Sequence, residues 1–274
     1  MTKAALAAAI LLLLPSLAFG GDLRARAHAE LQVVTTDDVK SEVAFGREVA
    51  AMILGKYPLY RDESLTRYVN LVARMLARNS NRPELNFTVG VLDTDMINGF
   101  SAPGGYIFVT KGAIDAMDDE AELAGVIAHE MMHVSQRHIV KELNIHGSDL
   151  SPAAGFSHMI GGAGDVVKVA FVKAMDEAVN ILFERGYKKQ DEIEADTLGT
   201  ELIATAGYDP EALVRYFEKI KGGQEKETVT LKKLHPSFDE RIGWIKQAVE
   251  KNGLGGEGHK KGVERFNGVI RKKG

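Results

Sequence analysis

Within residues 118–142 (DDEAELAGVIAHEMMHVSQRHIVKE), three side chains fall at a spacing that can do chemistry: His129, Glu130 and His133. On a helix, residues four apart share a face, so both imidazoles point the same way. Two nitrogens one turn apart can chelate one zinc ion at ~2.0–2.1 Å each. Glu130, beside the first of them, leans toward the place of an attacking water and can take its proton, while the metal polarises a carbonyl oxygen. The H-E-x-x-H pattern thus points to zinc-assisted hydrolysis of a peptide bond. Chance placement on a charged helix face produces the same letters, so a third ligand has to decide.

The segment carries its own helix signals. Asp119 with Glu122 three residues on resembles a capping box, with acid at the positive end of the dipole. Leu123, Val126, Ile127, Met131 and Val134 follow at helical spacing. The longer motif H-E-x-x-H-x-x-G-x-x-H is excluded, because Gln136 and Ile139 stand at its glycine and third histidine. His138, five residues past His133, falls on the far side of a continuous helix and reads as a surface histidine. The other source of a ligand is Gln190-Asp191-Glu192-Ile193-Glu194-Ala195-Asp196, which opens a helix that runs to about Ala206 and stops at Gly207. Glu192 and Asp196 share one face there, while Glu194 points elsewhere. Glu192 can complete a site of two histidines and one glutamate with a position left for water, the form of catalytic zinc. Asp196 can accept the free N–H of a ligating imidazole. An acidic face turned to solvent carries the same letters.

Composition sets the frame. The chain has 274 residues, 45% hydrophobic and 26% charged, which suits one substantial domain. A net charge of −4 offers no basic field for nucleic acid. There is no cysteine, so a metal site must use His, Asp and Glu. Lys3, the apolar run from Ala4 to Leu14 and the small residues ending at Gly20 read as a signal peptide over residues 1–20. That run is too short for a bilayer core of ~30 Å, so the expectation is a mature chain without a membrane span, exported to a bacterial periplasm. Residues 21–36 read as a leader, 37–252 as the catalytic domain and 253–274 as a flexible basic tail.

Helices are expected over Asp37–Lys56 and from an Asp62 cap to about Arg78. Strands are expected over Leu85–Leu92 and Gly105–Thr110, joined as a hairpin by a glycine-proline turn. One of them can be a sheet edge that takes up an extended peptide. The Gly- and Ser-rich stretch His146–Val166 reads as a lid, Val166–Phe183 as a buried amphipathic helix and Lys221–Lys233 as a polar linker. Ser237 and Glu240 form a capping box for a last helix to Asn252, with Trp244 in the core.

HEMMH followed downstream by EIEAD resembles metallopeptidase family 48, gluzincins that include the CaaX prenyl-protein endopeptidases and membrane quality-control proteases of mitochondria and bacteria. The segment from Asn98 to Gly105 is similar to that family's strand before the zinc helix, and His235–Arg241 to a segment of its soluble bacterial members. The likeness runs from about Asp37 to Lys251. Together these readings imply an α+β, mostly helical gluzincin-like domain with a small antiparallel sheet beside the zinc helix. The resemblance implies one zinc ion on His129, His133 and Glu192, with Asp196 behind them and Glu130 as proton acceptor. It places Arg241 and His235 near the developing oxyanion, with His235 closing the open zinc position as the alternative. Asn98, Phe100, Gly104 and Gly105 are then substrate contacts. The expected substrates are misfolded or unassembled envelope polypeptides. No tetratricopeptide-like repeat follows, so the expectation is an accessory, partner-binding domain on another chain, or none. The competing expectation is a zinc-bound periplasmic chaperone or assembly factor with latent proteolysis; the intact Glu130 argues for hydrolysis.

Overall fold

The computed structural model describes residues 34–147, 165–222 and 225–271. The expected signal peptide, nearly all of the leader and most of the expected lid lie outside those residues. The first helix, α1 (Thr36–Lys56), starts from a Thr35–Asp38 capping box and ends at Tyr57, where the following proline disfavours helical backbone. Helix α2 (Glu63–Ala77) is capped by Asp62, whose carboxylate accepts from Leu65 N–H at 3.0 Å. Its predicted inward residues, Leu65, Tyr68, Val69, Val72 and Leu76, are all buried.

The sheet differs from expectation in one respect. Strands β1 (Thr88–Leu92), β2 (Gly99–Ala102) and β3 (Tyr106–Thr110) lie in the order β1-β3-β2, with β1 parallel and β2 antiparallel to β3. The sheet is therefore mixed rather than antiparallel, because the stretch expected to be only a turn contains a strand of its own. The hairpin joins β2 to β3 through Pro103-Gly104-Gly105, where φ is +79° at Gly104 and +100° at Gly105, a conformation that glycine adopts without penalty. The outer edge of β1 is closed. Val89 donates to Asn70 Oδ1 at 2.9 Å and accepts from Asn70 Nδ2 at 2.8 Å, and Val91 O accepts from Tyr60 N–H at 2.8 Å. Among the described residues, β2 is the other edge.

After the short α3 (Lys111–Asp115) comes α4 (Glu120–Ser135), buried along its whole length. It is followed by α5 (His138–Glu142) and by α6 (Asp165–Asn180), which runs into a π-helical turn at Ile181–Arg185. The chain then forms α7 (Lys189–Thr205), α8 (Ala212–Lys221), α9 (Glu225–Leu234), α10 (Phe238–Lys251) and α11 (Val263–Ile270). One apolar cluster packs α2, β1, β3, α7, α8 and α10 around α4. A second joins α1, β2, α5 and α6 through Phe45, Phe100, Phe171 and Phe183. No helix among the described residues is long and apolar enough to cross a membrane.

Three expectations are corrected. Residues 225–234 form a helix rather than a linker, because Thr228, Leu231 and Leu234 line one side and are buried. The end of the chain is not a loose tail as far as residue 271. Phe266 is fully buried, Arg265 donates to Glu120 and Ala121 N–H donates to Lys261 O at 3.0 Å. Trp244 lies off the buried face of α10, which carries Phe238, Arg241, Ile245, Ala248 and Val249. It borders a surface cavity of about 380 Å³, with Lys189 Nζ 5.6 Å from its ring.

Candidate active site

The Asp119 cap is present: its Oδ1 accepts from Glu122 N–H at 2.9 Å and starts α4. One turn apart on that helix, His129 Nε2 and His133 Nε2 face each other at 3.1 Å. Helix α7 crosses close by because it offers small residues there. A Cβ at Gly199 would lie 3.2 Å from His129 N, and Ala195 is fully buried. From α7, Glu192 Oε1 comes within 3.6 Å of His133 Nε2, and its Oε2 within 3.9 Å of His129 Nε2. Glu192 Oε1 is buried and has no hydrogen-bond partner among the described residues.

Asp196, one turn further, lies with Oδ1 2.9 Å from His129 Nδ1. The carboxylate needs a donor, so Nδ1 carries the proton and the Nε2 lone pair faces His133. Arg241 from α10 donates to the same carboxylate twice, Nε to Oδ2 at 2.9 Å and Nη2 to Oδ1 at 2.6 Å. Burial opposes the charge on Asp196. The Arg241 guanidinium and the hydrogen bonds from Arg241 and His129 outweigh it, holding the carboxyl well below the usual carboxylate range. Burial also pushes His133 well below the ordinary histidine range, and the neighbouring imidazoles add to this, so it stays neutral with a lone pair to offer.

Glu130 is buried against β2. A Cβ on Gly99 would stand 2.6 Å from its Oε1, so the carboxylate occupies room that only glycine leaves. Burial raises its pKa, against the pull of His129 and His235, which suits a proton acceptor. His235, just before α10, places Nδ1 2.8 Å from Glu192 Oε2. His129, Glu192 and His235 each offer a ligand atom within 4.8 Å of one another. Asn98, His129, Glu130, His235 and Arg241 border a cavity of about 30 Å³. The side-chain amide of Asn98 is buried there and unpaired at both ends among the described residues.

The other expected substrate contacts lie elsewhere. Side chains alternate along a strand, so Gly99 faces Glu130 while Phe100 faces the second core, 5.3 Å from Phe183 and 5.9 Å from Tyr57 between ring centroids. Gly104 and Gly105 shape the hairpin against α1 and residue 86, where a Cβ would meet Val43 Cα at 2.6 Å and Asn86 O at 2.8 Å.

His138 is not a surface residue. Helix α4 stops at Ser135, Arg137 adopts φ +59°, and the chain restarts at His138 pointing back inward. The expectation failed because it assumed one continuous helix. Buried His138 places Nδ1 2.8 Å from His133 Nδ1 and Nε2 2.9 Å from Glu194 Oε2. The Tyr187 ring stacks on His133, with centroids 3.8 Å apart and planes 18° from parallel. Sequence reasoning missed His138, Glu194, Tyr187, Gly99 and Gly199. The signal for Gly199 was present, a glycine one turn after Asp196 on its face; Gly99 was hidden because its strand was read as a turn, and nothing in the sequence marks Tyr187.

The donor set fits a metal ion. The two imidazole nitrogens stand 3.1 Å apart and the Glu192 carboxylate reaches them through separate oxygens, Oε1 3.6 Å from His133 and Oε2 3.9 Å from His129, near the ~3.3–3.4 Å between ligands of a tetrahedral ion with ~2.0–2.1 Å bonds. Two imidazole lone pairs opposed at 3.1 Å also repel unless a cation lies between them. Comparison with known proteins agrees: the family described as "Peptidase family M48" matches residues 63–249, more than half of the chain. The chain belongs to peptidase family M48. Membership of M48 implies a metal ion, and the group of His129, Glu192 and His235 could hold one. Among curated relatives, "Beta-barrel assembly-enhancing protease" of Yersinia pestis is 28% identical over 201 residues, 68% of this chain and 38% of that protein. "Metalloprotease YcaL" of Escherichia coli K12 is 23% identical over 218 residues, 80% of this chain and 83% of the relative. "Metalloprotease LoiP" of the same strain is 27% identical over 184 residues, 67% and 70% of the two chains. This M48 chain spans well under half the length of the first of these relatives.

Proposed function

We propose that the chain is a zinc metalloendopeptidase that cleaves misfolded or unassembled polypeptides of the bacterial envelope. The observation that carries the reading is the convergence of His129 Nε2, His133 Nε2 and the partnerless Glu192 Oε1 beside Glu130, in a chain of family M48. Zinc held by these three residues supplies a Lewis acid that polarises the scissile carbonyl and acidifies water. Glu130, buried against Gly99, takes the proton of the attacking water and passes it to the leaving amine. Asp196 keeps His129 in the Nδ1–H tautomer. Arg241 donates twice to Asp196 and its Nη2 also lies 3.0 Å from His129 Nδ1, so in this reading it stiffens that arm, and His235 is the group left to steady the carbonyl oxygen.

Asn98 offers its amide NH2 as donor and its carbonyl oxygen as acceptor to the substrate backbone. An extended peptide adds along β2, since Asn70 and Tyr60 already occupy the β1 edge. Export to the periplasm is supported by the basic and apolar start of the sequence. The envelope substrate class is supported by relatives named for β-barrel assembly.

A specific observation favours a second reading, a zinc-bound assembly factor with latent proteolysis. Every donor of the centre is at most 8% exposed, and His235 is bonded to Glu192. One experiment separates them: zinc content, with cleavage of casein and of an unfolded β-barrel protein, for the wild type and Glu130→Gln. Zinc in both proteins with cleavage only by the wild type supports the peptidase. Zinc in both with cleavage by neither supports the latent factor. A wild type that holds no zinc sinks both readings.

A further inference from the structure

His129 has a carboxylate behind it at Nδ1; among the described residues none lies against His133 Nδ1. His133 Nε2 faces His129 and Glu192; with a metal ion held there, as proposed above, Nε2 offers the lone pair and Nδ1 carries the proton. Nδ1 lies 2.8 Å from His138 Nδ1. Two ring nitrogens at that distance make a hydrogen bond only if one is N–H and the other a lone pair. His138 therefore accepts at Nδ1 and carries its own proton on Nε2, which points at Glu194 Oε2 2.9 Å away. The tautomers are fixed in sequence from the carboxylate inward. Tyr187 closes the flat face of His133, so the ring has little freedom to turn.

We propose that His138 and Glu194 form a positioning relay that orients His133 for the metal, as Asp196 does directly for His129. The relay rests on the metal-centre reading above. It makes α7 the source of three carboxylates around the metal histidines: Glu192 toward the metal, Asp196 behind one histidine, and Glu194 behind the other through His138. An imidazole between carboxylate and ligand passes polarisation and orientation together, raising the ligand's basicity. Asp191 also approaches His138, but its Oδ1 is 3.9 Å from Nε2, beyond hydrogen-bond reach.

The test is the zinc dissociation constant, measured by competition with a chromophoric chelator on the full chain, with no substrate present. Loss of an outer partner of a metal-ligating histidine costs about 10–100-fold in affinity. His138→Ala is expected to weaken zinc binding by that factor, and Glu194→Gln by about 10-fold, at the lower end of the range. Because Glu194 acts through His138, the double variant should bind no more weakly than His138→Ala alone. Asp191→Asn should match the wild type, which distinguishes a relay from simple loss of nearby negative charge. Glu194→Gln is isosteric at a side chain 28% exposed and keeps the test alive if His138→Ala fails to fold. Zinc bound by the wild type and within twofold by Glu194→Gln overturns the relay alone, as do additive losses in the double variant. A wild type without affinity for zinc overturns the metal centre as well.

Discussion

Glu42 offers a test of how the centre is supported from outside its own residues. It is fully buried on α1 and has three partners. Arg82 donates to both its oxygens, at 3.4 and 3.0 Å, Arg137 Nε donates to Oε2 at 3.1 Å, and Gly104 N–H donates to Oε1 at 3.2 Å. The carboxylate thus ties together α1, the β2–β3 hairpin and the residue whose left-handed backbone turns His138 inward. Glu42→Gln keeps the shape and removes the charge. Removing one member of a buried ion pair costs about 3–5 kcal/mol, because the other charge is left without compensation. The lower end applies here, since Arg82 keeps its pair with Glu84 and Arg137 is 14% exposed and can reach water. At ~2–4 °C per kcal/mol for a chain of this size, a loss of ~3 kcal/mol lowers the melting temperature by roughly 6–12 °C. Thermal unfolding followed by far-UV circular dichroism, with chelator present in every sample, reads this without the metal. Glu84→Gln is the comparison, expected to cost under ~1 kcal/mol because Glu84 is 39% exposed. A fall of less than about 3 °C for Glu42→Gln, or equal falls for both variants, would refute the assignment of Glu42 as the shared anchor.

Gly99→Ala should leave zinc content unchanged while kcat falls on the order of 100-fold, because the new Cβ would stand 2.6 Å from Glu130 Oε1 and must displace it. Undiminished turnover in that variant would remove the argument that Glu130 works from this seat. Phe100→Ala should cost about 3–5 kcal/mol in urea unfolding with KM per folded molecule unchanged, since the ring packs on Tyr57 and Phe183. A raised KM with stability intact would return Phe100 to the substrate path. Asp38 is held at about 2, below its ordinary 3.8, chiefly by the Thr35 hydroxyl and then by Gly147 N–H. Its folded value is the lower one, so its contribution is complete above about pH 4 and drains away as pH falls toward 2. The site is exposed, so that contribution is worth at most ~1 kcal/mol. Urea unfolding at pH 5 and pH 3 should show a smaller pH-dependent loss in Asp38→Asn than in the wild type; equal losses would contradict the assignment.

What was legible in the sequence is what local rules decide. The caps at Asp62, Asp119 and Ser237 sit where the polar-before-apolar pattern placed them, because a cap is a bond between residues three apart. His129 with His133, and Glu192 with Asp196, emerged because positions four apart share a helix face whatever surrounds them. Strand β2 was not legible. Four residues after a buried asparagine alternate too briefly to stand out, and they are a strand because β3 pairs with them. Helix α9 was obscured by lysines, although Leu231 and Leu234 alone supply enough apolar surface to seat it. Phe266 shows the same for the final helix, where basic residues concealed one fully buried ring.

The acidic cluster on α7 shows where local reasoning stops. Periodicity correctly turned Glu194 away from Glu192 and Asp196, and for an isolated helix that leaves it without a part in the site. His138 was set aside by the same rule, as the wrong side of a continuous α4. The reading of His138 fails, and the place of Glu194 changes with it, for one cause. Arg137 adopts a left-handed conformation that a non-glycine residue enters only at a cost, and its guanidinium is held by Glu42 from a helix 95 positions earlier. With that bond in place α4 ends at Ser135, two residues after His133, and the turn at Arg137 swings His138 back under His133 and brings it to Glu194. A residue pair that helical geometry assigns to two outward faces thus becomes an inward support, through a backbone turn whose cause is remote in sequence. The Glu42 and Glu194 variants are therefore linked tests. Loss of Glu42 should loosen the turn and weaken zinc binding, while loss of Glu194 should weaken zinc binding and leave the melting temperature of the metal-free protein nearly unchanged. If Glu42→Gln lowers stability but leaves zinc affinity at the wild-type value, the turn does not depend on that anchor, and the support of His133 is confined to α5 and α7.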